Sequence, residues 1–191
     1  AGTYVENINF RGRNIKVVGE DRETTIIDGE SAGTVVSMSA CSNTTLLSGF
    51  TLKNGAGVNG GGLYLFNSEP VLSNLLITEN SASTNGGGIH FDLSSSSLEN
   101  VTITGNSATG DGGGIYSESS SMTISNSTIN DNTALNEGGA VRISENSLLE
   151  MSNSIVENNQ SGSQMDGLYS LSSSVSITNS VFKSNGYIGI R

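Results

Sequence analysis

A period of about 26 residues runs through most of this chain, and it leaves room for little except a fold made of stacked, equivalent turns. Leu63, Ile89, Ile115, Val141 and Leu168 follow one another at intervals of 26, 26, 26 and 27 residues. Asn74, Asn100, Asn126, Asn153 and Asn179 repeat nearly the same spacing, and a second Asn stands six residues after each, at Asn80, Asn106, Asn132, Asn159 and Asn185. A unit this short cannot bury its apolar face alone; it does so by stacking on its neighbours, which is a solenoid. The 191 residues then hold about seven coils in one elongated domain, residues 1–191. Ala1-Gly2-Thr3-Tyr4-Val5 reads as the middle of a coil and Tyr187-Ile188-Gly189-Ile190-Arg191 as the opening of another, so the chain is expected to be a segment of a longer extracellular protein.

Within a coil the pattern has period two. Ile89 and Phe91 alternate with His90 and Asp92, and Val101 and Ile103 with Thr102 and Thr104. Such runs predict half-buried strands and give no support to a helix. A third apolar position precedes each first Asn by two residues, at Leu72, Leu98, Ile124, Met151 and Ile177. The expectation is an all-β, right-handed parallel β-helix with three short parallel sheets. The Asn columns are expected to be structural, since amides at equivalent corners can bond up the stack and Asn tolerates left-handed backbone. Gly60 to Gly62, Gly86 to Gly88, Gly112 to Gly114 and Gly138-Gly139 predict a corner with positive φ. No helix follows these glycines to bind phosphate.

Composition narrows the partners. The formal charge of −10 disfavours nucleic acid and anionic membranes, which require clustered Lys and Arg. Between residues 54 and 182 only Arg142 is basic. No apolar run reaches the roughly 18 residues of a spanning helix, so no membrane insertion by this segment is expected. The lone Cys41 permits no internal disulfide and reads as a small core residue.

The chain resembles two known groups. Gly138-Gly139-Ala140-Val141 and Gly113-Gly114-Ile115 look like the GGA[ILV] motif, and Phe182-Lys183-Ser184-Asn185 like the FxxN motif, of polymorphic outer-membrane protein repeats in bacterial surface autotransporters. Ile77 to Asn80, Ile103 to Asn106, Ile129 to Asn132 and Val156 to Asn159 match FxxN with an aliphatic residue for Phe. More broadly the chain is similar to right-handed β-helices of the pectin-lyase-like type. The resemblance implies an extracellular or cell-surface location, in a bacterium. Met165-Asp166-Gly167 departs from the glycine triplet at the fifth corner.

If Ile89 points inward, its neighbour points outward, and the first strand of each coil presents a column of Ser37, Tyr64, His90, Tyr116, Arg142 and Tyr169. Two residues further, Phe66, Asp92, Glu118, Ser144 and Leu171 form a second column. The only His, the only mid-chain Arg and three of five Tyr thus meet on one face. Three uses compete for it. As a binding face, Tyr64, His90, Tyr116, Arg142, Tyr169 and Phe66 offer amphipathic surfaces to a glycan or a protein. As a catalytic face, Asp92 and Glu118 form a carboxylate pair, or His90 or Tyr116 abstracts a proton while Arg142 neutralises a uronate, as the pectin-lyase-like resemblance implies. As a purely structural ladder, the rings only stabilise the sheet.

Short corners argue against a deep catalytic cleft. The leading expectation is therefore a non-enzymatic module for adhesion or ligand binding, or a rigid stalk. A polysaccharide lyase or glycoside hydrolase is the alternative, and end-to-end self-association through uncapped coil ends a third. No cofactor is expected. Calcium is the one ion considered, through Asp92, Asp111, Glu118, Asp131 and Asp166, although the repeat pattern GGxGxDxUx is missing. An ice-binding Thr array, begun by Thr102 and Thr104, is interrupted by Leu76, Ile155, Val181, Glu157 and Lys183.

Overall fold

A computed structural model describes residues 1–163 and 165–190; Arg191, read above as part of an opening coil, lies outside them. The described chain winds as a parallel β-solenoid of about seven turns. The strands pair in parallel with their equivalents one coil away. His90, for instance, faces Tyr64 on one side and Tyr116 on the other. Among the described residues no helix is long and apolar enough to cross a membrane.

From Ala56–Gly57 to Gln160–Ser161 the coils carry a fourth strand beside the expected three. The first sheet contains Leu63–Phe66, Ile89–Asp92, Ile115–Glu118 and Val141–Ser144, and is called here the aromatic sheet. The second, the serine sheet, contains Val71–Ser73, Ser95–Glu99, Ser121–Ser125 and Leu148–Ser152. The third contains Leu76–Thr78, Thr102–Thr104 and Thr128–Asn130. The unforeseen fourth is built of two-residue strands such as Ser81–Ala82, Ser107–Ala108 and Thr133–Ala134. Two residues are too few to display an alternation, so only the buried Ala82, Ala108 and Ala134 mark it.

Inward residues of the first three sheets fill a narrow core. Leu63, Leu65, Ile89, Phe91, Ile115 and Ile143 meet Leu72, Leu98 and Ile124 and, from the third sheet, Ile77, Ile103 and Ile129. Burying an aliphatic side chain of this size contributes about 1.5–3 kcal/mol. Cys41 belongs to this core, where burial raises its thiol pKa.

The two Asn columns divide the work that the sequence assigned to both. Asn74, Asn100, Asn126, Asn153 and Asn179 adopt positive φ and turn the corner after the serine sheet. Asn80, Asn106, Asn132 and Asn159 are buried and do not; the residue before each, such as Glu79 or Asp131, takes the left-handed conformation instead. Asn106 shows why burial is tolerated. Its Nδ2 donates to Ile77 O and to Asn132 Oδ1, while its Oδ1 accepts from the backbone N and the Nδ2 of Asn80.

Serine provides further ladders. The backbone N–H of Ser68 donates to Ser94 Oγ, that of Ser94 to Ser120, and that of Ser120 to Ser147. At the glycine corner only Gly60, Gly86, Gly112 and Gly138 have positive φ. The following glycine is required by space, since a Cβ on Gly113 would lie 2.5 Å from Gly139 O. The divergent fifth corner keeps its path: Ala140 N donates to Asp166 O, and the Asp166 carboxylate accepts from Ser161 N and Gly186 N.

Candidate functional site

The aromatic sheet assembles the expected column, but less openly than its outward direction implies. Tyr64, His90, Tyr116, Arg142 and Tyr169 are successive register partners. The rings of Tyr64 and His90 lie 5.5 Å apart and those of His90 and Tyr116 4.9 Å apart, while the Arg142 guanidinium sits 4.6 Å from the centre of the Tyr169 ring. His90 is only 2% exposed, and Tyr116, Arg142 and Tyr169 are buried with it. The expectation of an open ladder is corrected here.

Two polar rows close over the column. One comes from the residues just before the glycine corner, Asn59, Asn85, Asp111 and Glu137, which sequence reasoning missed as a set. They form their own ladder: Asp111 N donates to Asn85 Oδ1, and Glu137 N to Asp111 Oδ1. This row receives Arg142, whose Nε donates to Glu137 Oε2 at 3.2 Å and lies 3.9 Å from Asp111 Oδ2. Arg142 Nη1 donates to Ile143 O. The guanidinium is committed within the protein.

The other row is the strand-end column of Phe66, Asp92, Glu118 and Ser144. Tyr64 Oη donates to Asp92 Oδ2 at 3.2 Å, and Tyr116 Oη to Glu118 Oε2 at 3.4 Å. Burial, reinforced by the charges of Asp92 and Glu145, raises the pKa of Glu118. Burial likewise raises those of Tyr64 and Tyr116, so both phenols stay protonated at neutral pH.

His90 is held as a neutral ring. Its Nδ1 is 3.5 Å from Asn85 O and donates to it in the tautomer that this carbonyl favours. Its Nε2 then carries a lone pair and has no hydrogen-bond partner among the described residues. Glu118 Oε1 lies 3.6 Å away, too far for a hydrogen bond. Burial outweighs both the bond to the Asn85 carbonyl and the attraction of the Asp92 carboxylate, so the pKa of His90 falls below 6.5.

Exposure concentrates at the end of the row. Phe66 is 41% exposed and Leu93 54%, and Leu93 adopts a φ of 50° at a place where other coils have Asn67, Ser119 and Ser172. A leucine in that conformation is a signal visible only once the corner geometry is known. The carboxylates Asp92, Asp111, Glu118, Asp131 and Asp166 do not gather: among the described residues, no three His, Cys, Asp or Glu converge to hold a metal ion. A trough of about 300 Å³ lined by Pro70, Val71, Ser95, Met122 and Leu148 lies instead on the serine sheet.

A family model described as "Right handed beta helix region" matches residues 5–165. No curated protein and no solved structure matches the chain.

Proposed function

The chain belongs to the right-handed β-helix family, and from that premise we propose that it is a non-enzymatic, extracellular or cell-surface module that binds a glycan or protein ligand on its aromatic sheet. One observation carries the proposal. On this sheet exposed Phe66 and Leu93, the latter held at positive φ, lie beside Asp92 and Glu118, an acidic edge that no Lys or Arg among the described residues pairs with. The motifs that resemble outer-membrane protein repeats support the surface setting.

The hydrolase or lyase alternative has less support. Arg142 is spent on Glu137, Asp111 and Ile143 O, and buried His90 has no path to a sugar proton. Tyr64, Phe66, Asp92, Leu93 and Glu118 are what a ligand reaches, and Tyr116, Arg142 and Tyr169 support them from beneath.

Binding to arrays of host-cell proteins and polysaccharides provides the test. The wild type is expected to bind a subset, and the Phe66→Ser, Leu93→Asn double variant to lose that binding while melting at a similar temperature. Unchanged array binding by the double variant contradicts the proposal, as does release of unsaturated products or reducing ends from the polysaccharides.

A further inference from the structure

The exposed strip of the aromatic sheet has an unusual hydrogen-bonding character: at its polar edge it offers acceptors and almost no donors. The hydroxyls of Tyr64, Tyr116 and Ser119 are turned onto Asp92 Oδ2, Glu118 Oε2 and Glu145 Oε2 respectively. Each carboxylate is thus anchored through one oxygen. The other oxygen of each has no hydrogen-bond donor among the described residues. Beneath them, His90 Nε2 is a further acceptor without a donor, 98% buried and aimed at Glu118 Oε1 from 3.6 Å.

Among the described residues no Lys or Arg forms an ion pair with Asp92, Glu118 or Glu145. The three stand on successive rungs, spaced about 4.8 Å apart. Next to them lie exposed Phe66, paired in register with Asp92, and exposed Leu93. Leu93 pays twice for its place, once in left-handed backbone that disfavours a branched side chain and once in apolar surface left in water. Asn, present at the same corner as Asn67, lessens the first cost and avoids the second.

We propose that this strip is the docking surface for a cationic, aliphatic peptide segment of a partner protein, whose Lys or Arg side chains pair with Asp92, Glu118 and Glu145 while its aliphatic side chains cover Phe66 and Leu93. The proposal rests on the binding function above and chooses among its ligands. A neutral sugar brings acceptors as well as donors, and this edge has few donors for them. An ammonium or guanidinium group brings donors only. Charge complementarity follows the same direction, because the chain carries −10 overall and its one mid-chain cation is internally paired.

The test is calorimetric titration of the whole chain with acetyl-Lys-Leu-Lys-Leu-Lys-amide. A peptide of equal charge with Gly in place of Leu, and a neutral β-linked oligosaccharide, serve as comparisons. The Leu peptide is expected to bind more tightly than the Gly peptide, and more tightly than the sugar. Asp92→Asn, Glu118→Gln, Glu145→Gln together should weaken it about tenfold or more, whereas Glu79→Gln, Glu99→Gln, Glu150→Gln, an equal change of charge elsewhere, should not. Leu93→Asn is the decisive single change: it should raise thermal stability and weaken peptide binding. Because a bound cation favours the ionised form of Glu118, binding at mildly acid pH should also release protons, and the Glu118→Gln variant should release fewer.

Equal weakening by both charge-matched triples, or a Leu93→Asn variant that binds as well as the wild type, overturns the proposal. Tight binding of the sugar to the same strip overturns it while leaving the binding function intact; failure of both probes together with unchanged array binding by the double variant overturns both.

Discussion

His90 is the residue whose surroundings have the clearest thermodynamic consequence. The unfolded chain takes up a proton on this ring near the ordinary value of 6.5, whereas burial in the stack between Tyr64 and Tyr116 keeps the folded form neutral to lower pH. The unfolded state therefore binds more protons as the pH falls through and below about 6.5, and the folded state loses stability over that range. Glu118 acts in the opposite sense. Its raised pKa favours the protonated folded form, so its contribution is present at acid pH and is lost as the pH rises through its folded value. Urea unfolding in a Glu118→Gln background isolates the imidazole: stability should decline below about pH 6.5 by up to about 1.4 kcal/mol per pH unit, and a further His90→Gln change should flatten that slope. His90 is the only histidine of the chain, so no other imidazole contributes. A slope that persists in the second variant assigns it elsewhere.

The coil is the element, and its ladders decide its stability. Asn132 accepts from Asn106 N and Nδ2 and donates to Ile103 O and Asn159 Oδ1, all in the buried interior. Asn132→Ala leaves at least two backbone groups without partners, at about 1–3 kcal/mol each, so a loss on the order of 3 kcal/mol is expected in chemical denaturation. Asn126→Ala, at the outer corner, loses a left-handed residue and should cost about 1 kcal/mol.

That contrast also shows what was legible in the sequence. The 26-residue recurrence of Ile89, Asn100 and Asn106 contains the coil, its core and its corners. It does not distinguish an Asn that bends the backbone from one that is threaded through the core, because both recur with the same spacing. The serine ladder of Ser68, Ser94, Ser120 and Ser147 was hidden in a chain rich in Ser, and the fourth sheet in strands of two residues. At the candidate site, alternation correctly placed Tyr64, His90, Tyr116, Arg142 and Tyr169 on one side of a sheet. It carried no information about the neighbouring row of Asn85, Asp111 and Glu137, which covers that column and takes up Arg142.

At the scale of the molecule, stacking turns a local pattern into a long, rigid surface whose chemistry is read along the axis rather than along the chain. Residues 26 or 27 apart become neighbours about 4.8 Å apart, so Phe66, Asp92, Leu93, Glu118 and Glu145 form one strip although they span four coils. The rest of the solenoid provides the frame that holds them in register, and the short corners keep the strip open rather than enclosing it as a cleft. On the proposed function, ligand contact is confined to this strip. Amide chemical-shift mapping by nuclear magnetic resonance, with acetyl-Lys-Leu-Lys-Leu-Lys-amide titrated into the labelled chain, tests it most directly. Shifts are expected around residues 64–67, 90–93, 116–119 and 144–146; shifts centred on Ser97, Thr123 and Glu150 of the serine sheet, or no shifts at saturating peptide, would contradict it.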